Sequence, residues 1–183
     1  MNELARAESL YQIIQRLPPN YVGEIVDGVL QAHPRPAARH GVIATRLTAA
    51  ITAAYDLGKP GGWWVVAEPE VHFVRDREVF VPDIAAWTRE RLPDLPDNQR
   101  FEVVPDWVCE VLSPSTIDTD RKTKMRRYAV HGVAHIWLAD PMQRVLEAYR
   151  LQNGDWQQIA TFESGEPIQA APFKDVTIRP PWV

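Results

Sequence analysis

Proline is the residue that most restricts how this chain can fold, because sixteen prolines are spread along its 183 residues. A proline inside a helix removes a backbone hydrogen bond and clashes with the preceding turn, so a bundle of long helices is excluded. Seven tryptophans and nine glycines accompany the prolines, a composition that favours many strand ends and stiff loops. We therefore expect an α/β fold of the mixed α+β kind.

Length and composition limit the class of protein further. Hydrophobic residues make up 45% of the chain and charged residues 24%, which is typical of a globular protein and excludes a disordered one. The length predicts one domain over residues 1–183. Because the formal net charge is -4, the chain as a whole does not attract nucleic acid, and any such contact must come from a local basic surface.

The sequence also predicts where the protein works and how it assembles. Cys109 is the single cysteine, so no internal disulfide can form. We find no signal-peptide pattern and no apolar stretch near the roughly 18 residues that a membrane span needs. These features predict a cytoplasmic protein without a membrane segment. Tryptophan-rich strands on an acidic chain would leave apolar surface that a second copy could cover, which predicts a homodimer.

Local patterns predict the order of helices and strands. Asp27-Gly28 lies between two runs of strand-forming residues and indicates a tight hairpin of strands near 21–26 and 29–33. Apolar residues at helical spacing predict helices over 4–17 and 40–56, and a third from Ser115 to about Val130 with Gly132 just past its end. The other predicted strands are 63–73, 79–87, 107–112, 134–138 and 145–149. Beyond Trp156 the chain should lie along a sheet edge.

Two acidic residues lie within apolar runs that are predicted to be strands. Asp83 follows Pro82 in the run 79–87, and Glu110 lies inside the run 107–112. A carboxylate buried in a strand is costly unless it is paired, hydrogen-bonded or bound to a metal. The alternative is that strand alternation places each acid on a solvated face. Two such residues in neighbouring runs favour a functional role.

The third predicted helix carries the one strongly basic segment of the chain. Its cations are Arg121, Lys122, Lys124, Arg126 and Arg127. Asp120, Lys124 and Tyr128 follow one another at a spacing of four and should lie on one side of the helix. At about 100° per residue, Lys124 falls on the margin of the apolar stripe and Arg121 near its middle. The alternative is a solvated helix face with Asp118 and Asp120 as ion-pair partners.

These stretches together resemble the Uma-two family of restriction endonuclease-like proteins, a branch of the PD-(D/E)XK nuclease-like superfamily. The matching segments are 24–28 (EIVDG), the helix opening at His40, 81–83 (VPD), 105–116 (PDWVCEVLSPST) and 120–140. They cover about residues 20–150. The resemblance implies a restriction-endonuclease-like fold, with a central mixed β-sheet flanked by helices and an N-terminal hairpin. It also implies that Asp83 and Glu110 are the two acids that bind the metal ion.

The resemblance departs from the superfamily pattern at one position. The usual lysine, two residues past the second acid, would fall at Leu112, and in the Uma-two pattern the lysine comes from the following helix, here Lys124. The resemblance further suggests Glu24 as a third carboxylate of the site, and it favours a functional role for His40. The basic residues Arg121, Lys122, Arg126 and Arg127 are the candidates for nucleic-acid contact.

The chemistry of phosphodiester hydrolysis fits this set of residues. A hard divalent cation such as Mg²⁺ or Mn²⁺ prefers carboxylate oxygens, activates water and neutralises phosphate charge. A nearby lysine can stabilise charge in the transition state. We therefore expect a metal-dependent DNA endonuclease with Asp83, Glu110 and Lys124 as its catalytic residues. The alternative is a catalytically inactive protein of the same fold that binds nucleic acid or serves as an assembly subunit.

Overall fold

The computed structural model describes residues 8–58 and 61–183. The α-helices within these residues are α1 (Leu10–Ile14), α2 (Ala38–Ile51) and α3 (Met125–Val130). A π-helical turn, Thr52–Asp56, follows α2, and another, Thr119–Lys124, precedes α3. The first six strands are β1 (Tyr21–Val26), β2 (Val29–Pro34), β3 (Trp63–Ala67), β4 (Glu70–Val74), β5 (Glu78–Phe80) and β6 (Ile84–Thr88). The other five are β7 (Arg100–Phe101), β8 (Trp107–Val111), β9 (His135–Asp140), β10 (Val145–Gln152) and β11 (Asp155–Phe162).

The strands form two mixed sheets. One has five strands in the order β2-β1-β5-β4-β7, and the other has six in the order β11-β10-β9-β8-β6-β3. Each sheet contains one parallel pair, β4 with β7 and β8 with β9, and its other pairs are antiparallel. The predicted mixed α and β fold is confirmed, with its strands divided between two sheets.

The N-terminal hairpin is confirmed. β1 and β2 pair antiparallel from Tyr21 opposite Pro34 to Val26 opposite Val29. Asp27 has a φ of 54° and Gly28 a φ of 76°. A two-residue turn with both residues in the left-handed region matches the right-handed twist of the strands it joins, which is why Asp-Gly is favoured there.

Two predicted long strands are wrong, because each is divided between the two sheets. The run 63–73 breaks at Glu68, whose φ is 47°, into β3 of one sheet and β4 of the other. The run 79–87 breaks over residues 81–83, where Pro82 has no N–H to offer a strand ladder. Asp83 therefore lies where the chain crosses between the sheets, directly before β6, and not inside a strand.

The helices agree with the sequence prediction in their order and less well in their lengths. Ser9 caps α1 with a capping box to Gln12, and α1 ends before Pro18; residues 4–7 of the predicted helix lie outside the described residues. α2 and its π-helical turn span almost the predicted 40–56. The third helix ends at Val130, and Gly132 follows with a φ of 78°, as predicted.

The central strands of the six-stranded sheet, β6, β8 and β9, are buried on both faces. One face packs against α2 and the C-terminal segment, where Trp107, Trp137 and Phe173 meet edge to face. The other face contributes Val108 and Leu138 to a second core that contains Phe80 of the five-stranded sheet and Tyr128 of α3. β11 forms the sheet edge that was predicted beyond Trp156, although it already begins at Asp155.

None of the helices within residues 8–58 and 61–183 is long and apolar enough to cross a membrane.

An ion-pair cluster attaches α3 to β5 and should make stability depend on acid pH. Burial alone would raise the pKa of Glu78, but hydrogen bonds from Arg127 and His131 outweigh it and lower that pKa. A carboxyl with a lower pKa in the folded state stabilises the protein above its unfolded pKa of about 4.3 and loses that contribution as the pH falls. When the pH falls from neutral to about 3, the free energy of unfolding measured in urea should decrease more for the native chain than for Glu78→Gln. Glu90→Gln, at an exposed acid, should behave like the native chain, and equal losses in all three would contradict this expectation.

Candidate active site

A cavity of about 500 Å³ lies beside the C-terminal end of β8. Its lining comes from β1, β2, the start of α2, the crossing segment 81–83, the loop 113–116, the π-helical turn 119–124 and the turn at 141–142. Elements from both sheets therefore meet at this cavity. Glu24, His40, Asp83, Glu110, Asp120 and Lys124 all contribute to its wall.

Asp83 and Glu110 are brought together by the pairing of β6 with β8. Ile84 lies opposite Cys109 in this antiparallel pair, so Asp83 lies across from Glu110. The Val111 N–H donates to Asp83 Oδ2 at 2.7 Å, and the Asp83 N–H approaches Glu110 Oε2 at 3.4 Å. Each carboxylate thus faces a backbone N–H of the opposite segment. His40 reaches the same place from α2, with its Nε2 2.7 Å from Asp83 Oδ1.

Lys124 is buried at the acidic end of the cavity, with 3% of its surface exposed. Its Nζ lies 2.7 Å from Glu110 Oε1, 3.0 Å from Glu24 Oε1 and 3.7 Å from Asp120 Oδ1. Burial by itself lowers the pKa of Lys124, but the charges of Glu110 and Glu24 outweigh it and raise that pKa well above its usual value. Lys124 therefore stays charged at neutral pH. Glu24 also accepts from the Val81 N–H at 2.7 Å, which holds the crossing segment against β1.

Asp120 and Tyr128 belong to this cluster, although the sequence analysis gave neither a role in the site. The Tyr128 hydroxyl donates to Glu110 Oε1 at 2.6 Å and is fully buried. Burial and the negative charge of Glu110 raise the pKa of Tyr128 well above its usual value, so it remains a donor. Burial also raises the pKa of Asp120, against the opposing charge of Lys124. The spacing of four through 120, 124 and 128 was the sequence signal that could have identified both.

The predicted orientation of the third helix is wrong in one respect. Lys124 was placed on the margin of the apolar stripe and Arg121 near its middle, yet Lys124 is buried and the Arg121 side chain is 32% exposed. Arg121 pairs with Glu147 of β10 at 2.6 Å. The cause is the π-helical turn, since its i→i+5 bonds widen the helix and reduce the rotation per residue.

The other cations of the basic segment also have partners. Lys122 pairs with Asp118 at 2.9 Å, and Arg126 pairs with Asp27 at 2.8 Å. Arg127 binds both carboxylate oxygens of Glu78. The sequence alternative of an ion-paired helix face is met only in part, because Asp118 is the one partner it named that pairs with these cations, and the other carboxylates come from elements outside the helix. A role of Arg121, Lys122, Arg126 and Arg127 in nucleic-acid contact stays a prediction.

Negative charge exceeds positive charge at the acidic end of the cavity. Three carboxylates, from Glu24, Glu110 and Asp120, face the ammonium of Lys124, and a fourth, from Asp83, lies beside Glu110 on the cavity wall. Burial raises the pKa of Glu110, the charge of Lys124 opposes this rise, and the neighbouring acids add to it. In the described part of the chain, no group of three or more His, Cys, Asp or Glu side chains is arranged to hold a metal ion. The pair Asp83 and Glu110 nevertheless offers hard oxygen donors in an electronegative site, which fits a divalent cation that keeps several water ligands.

Comparison with known proteins agrees with the resemblance of the sequence. The family model described as "Uma2: Putative restriction endonuclease" matches residues 8–180. The fold is similar to that of "a putative nuclease belonging to DUF820 from Anabaena variabilis ATCC 29413", with a TM-score of 0.74 and 20% identity over 94% of each chain. No curated protein matches the chain. Because the family model covers most of the sequence, the chain belongs to the Uma2 family, as its motifs predicted.

Proposed function

We propose that the protein is an endonuclease that hydrolyses phosphodiester bonds in DNA with Mg²⁺ or Mn²⁺. The observation that carries this proposal is the cluster of three carboxylates around one buried lysine at the end of a cavity, with a fourth carboxylate, that of Asp83, beside Glu110. Burying like charges together is costly, so such a cluster indicates a site that acts on a ligand. The names of the family and of the structural neighbour support the same class of reaction. The proposal includes the homodimer that the sequence predicts, in which a second copy of the chain covers apolar surface left by the tryptophan-rich strands.

The side chains of Asp83 and Glu110 would hold the metal ion. Asp83 is fixed by the Val111 N–H and by His40, and Glu110 by Tyr128 and Lys124, so both carboxylates are positioned before any ligand arrives. A bound Mg²⁺ supplies a water of lowered pKa and neutralises charge on the phosphate. The excess negative charge described above would be reduced by the same ion.

Lys124 would act beside the two carboxylates that hold the metal ion. Its ammonium is charged and held by Glu24 and Glu110, so it can place a positive charge near the scissile phosphate. This stabilises negative charge that builds up on the phosphate oxygens in the transition state. Glu24 orients Lys124, Tyr128 orients Glu110, and His40 orients Asp83.

Metal removal tests the proposal directly. Purified protein with Mg²⁺ or Mn²⁺ should nick or linearise supercoiled plasmid DNA, and an excess of chelator should abolish this because the metal activates the nucleophile. The products are measured on agarose gels, with metal restored after chelation as the control. Binding of DNA without cleavage under any divalent metal would favour the catalytically inactive alternative. Cleavage that continues in chelator would contradict metal dependence.

A further inference from the structure

Away from its acidic end, the cavity has largely apolar walls. Prolines from three separate segments contribute: Pro34 at the end of β2 and Pro36 just after it, Pro114 in the loop after β8, and Pro141 in the turn after β9, which also carries Met142. Proline rings and a methionine side chain offer flat or adaptable apolar surface, which suits the face of an aromatic ring. Such walls give no favourable contact to a charged sugar-phosphate backbone, because they would desolvate it without replacing its hydrogen bonds.

Hydroxyl groups line one side of the same cavity. Ser113 Oγ lies 3.0 Å from Ser115 Oγ and 2.9 Å from Thr116 Oγ1. A hydroxyl both donates and accepts hydrogen bonds, so this group can adapt to the mixed donors and acceptors on the edge of a nucleobase. Apolar faces with a polar edge are the features that a single base presents.

A cation is available for the phosphate next to that base. Arg39 lines the cavity, is exposed, and forms no ion pair within residues 8–58 and 61–183. Its neighbour Arg35 is bound to Glu68 at 2.6 Å. The basic segment offers no free alternative, since Arg121, Lys122, Arg126 and Arg127 are all engaged by carboxylates. A long duplex needs many phosphate contacts, whereas one nucleotide needs few.

We propose that the cavity takes one unstacked nucleotide, so that the site acts on single-stranded DNA, or on a nucleotide extruded from a duplex, in preference to continuous base-paired DNA. This rests on the proposed function and names its substrate class. The volume of about 500 Å³ lies in the range of roughly 300–1,000 Å³ that is typical of pockets for small ligands. A base stacked within a duplex cannot enter such a pocket unless it leaves the stack.

Binding of labelled DNA to the full chain tests the proposal without relying on cleavage. Fluorescence anisotropy with Ca²⁺ in place of Mg²⁺ compares a single strand of about ten nucleotides, the matching duplex, and the duplex with one unpaired nucleotide. We expect the single strand to bind about tenfold more tightly than the duplex, because stacking and apolar contact with a free base are lost in the duplex. The duplex with one unpaired nucleotide should bind as the single strand does if an extruded base can enter, and as the duplex does if only a free strand can. Equal affinity for all three would overturn the proposal.

Two matched pairs of variants locate the binding. Ser115→Trp would fill the cavity from its exposed rim and should weaken single-strand binding about tenfold, whereas Ser164→Trp, at an exposed serine outside the cavity, should not. Arg39→Ala should weaken binding and reduce its salt dependence, whereas Arg77→Ala, at an exposed arginine in the turn between β4 and β5, should not. Single-strand binding that Ser115→Trp leaves unchanged would overturn the proposal.

The binding and cleavage results separate this proposal from the proposed function. Metal-dependent cleavage of intact duplex at the same rate in the native chain and in Ser115→Trp would leave the endonuclease standing and overturn the nucleotide cavity. If single strands bind tightly, Ser115→Trp weakens that binding, and no cleavage occurs under Mg²⁺ or Mn²⁺, the nucleotide cavity is supported and the proposed hydrolysis is overturned.

Discussion

Glu110→Gln should cleave plasmid DNA on the order of 10³-fold more slowly than the native chain, because it removes one of the two carboxylates proposed to hold the metal, and metal assistance contributes several kcal/mol to such reactions. Asp83→Asn should have a similar effect. Initial rates of supercoiled plasmid loss, measured at saturating Mg²⁺ and again with Mn²⁺, give the comparison.

The fold should survive these two substitutions. The amide oxygen of glutamine at position 110 can still accept from Tyr128 and Lys124, while one of four crowded carboxylates is removed. We therefore expect an equal or higher unfolding midpoint for Glu110→Gln. Glu78→Gln is the matched control, since Glu78 is also a buried, ion-paired strand carboxylate but lies outside the cavity, and its cleavage rate should be unchanged. Cleavage that persists in Asp83→Asn would show that the reaction occurs at another site.

Lys124→Met should lower the free energy of unfolding by about 3–5 kcal/mol, the usual cost of removing one partner from a buried ion pair. Glu24, Glu110 and Asp120 would then face one another without the ammonium that lies between 2.7 and 3.7 Å from each of them. Methionine keeps an unbranched chain of four heavy atoms and lacks only the terminal ammonium, so the loss reports mainly on charge. Urea unfolding in the presence of chelator provides the measurement.

Two further variants separate this charge effect from damage to the helix. Lys122→Met, two residues away at an exposed lysine paired with Asp118, should change stability little. Adding Glu110→Gln to Lys124→Met should restore part of the lost stability, because one of the unpaired carboxylates is removed. If Lys124→Met is as stable as the native chain, the acids are not held together by Lys124.

Local signals in the sequence were sufficient for several parts of the fold. Asp27-Gly28 was enough to predict the first hairpin, because the type of a two-residue turn depends on the two residues that form it. The run 107–112 was predicted as a strand, and β8 covers 107–111. A strand that is buried on both faces appears in the sequence as a short, nearly continuous apolar run, so this local pattern was enough. The positions of Asp83 and Glu110 on neighbouring segments followed from these runs together with the resemblance.

Other parts depend on partners that lie far away in the chain. Residues 79–87 are apolar apart from Asp83, and whether Pro82 ends a strand or begins another is decided by the two sheets on either side of it. The ion pairs of the basic segment have the same origin, since Asp27 and Glu78 are distant in sequence from Arg126 and Arg127. The burial of Lys124 in place of Arg121 depends on the π-helical turn, which no simple 100° periodicity predicts.

Insertions and deletions within residues 119–124 would change the site without replacing any of its side chains. A π-helical turn holds one residue more per hydrogen bond than an α-helical turn, so the loss of one residue would let the helix become regular. The residues before the deletion would then rotate by about 100° relative to Lys124, while Trp156 continues to hold Met125 in place at 2.8 Å. A related chain with both acids and the lysine, but one residue shorter here, would carry the residue that corresponds to Asp120 in a different helical phase from the lysine. For judging which relatives share this chemistry, a gap in this segment of an alignment is therefore more informative than most substitutions.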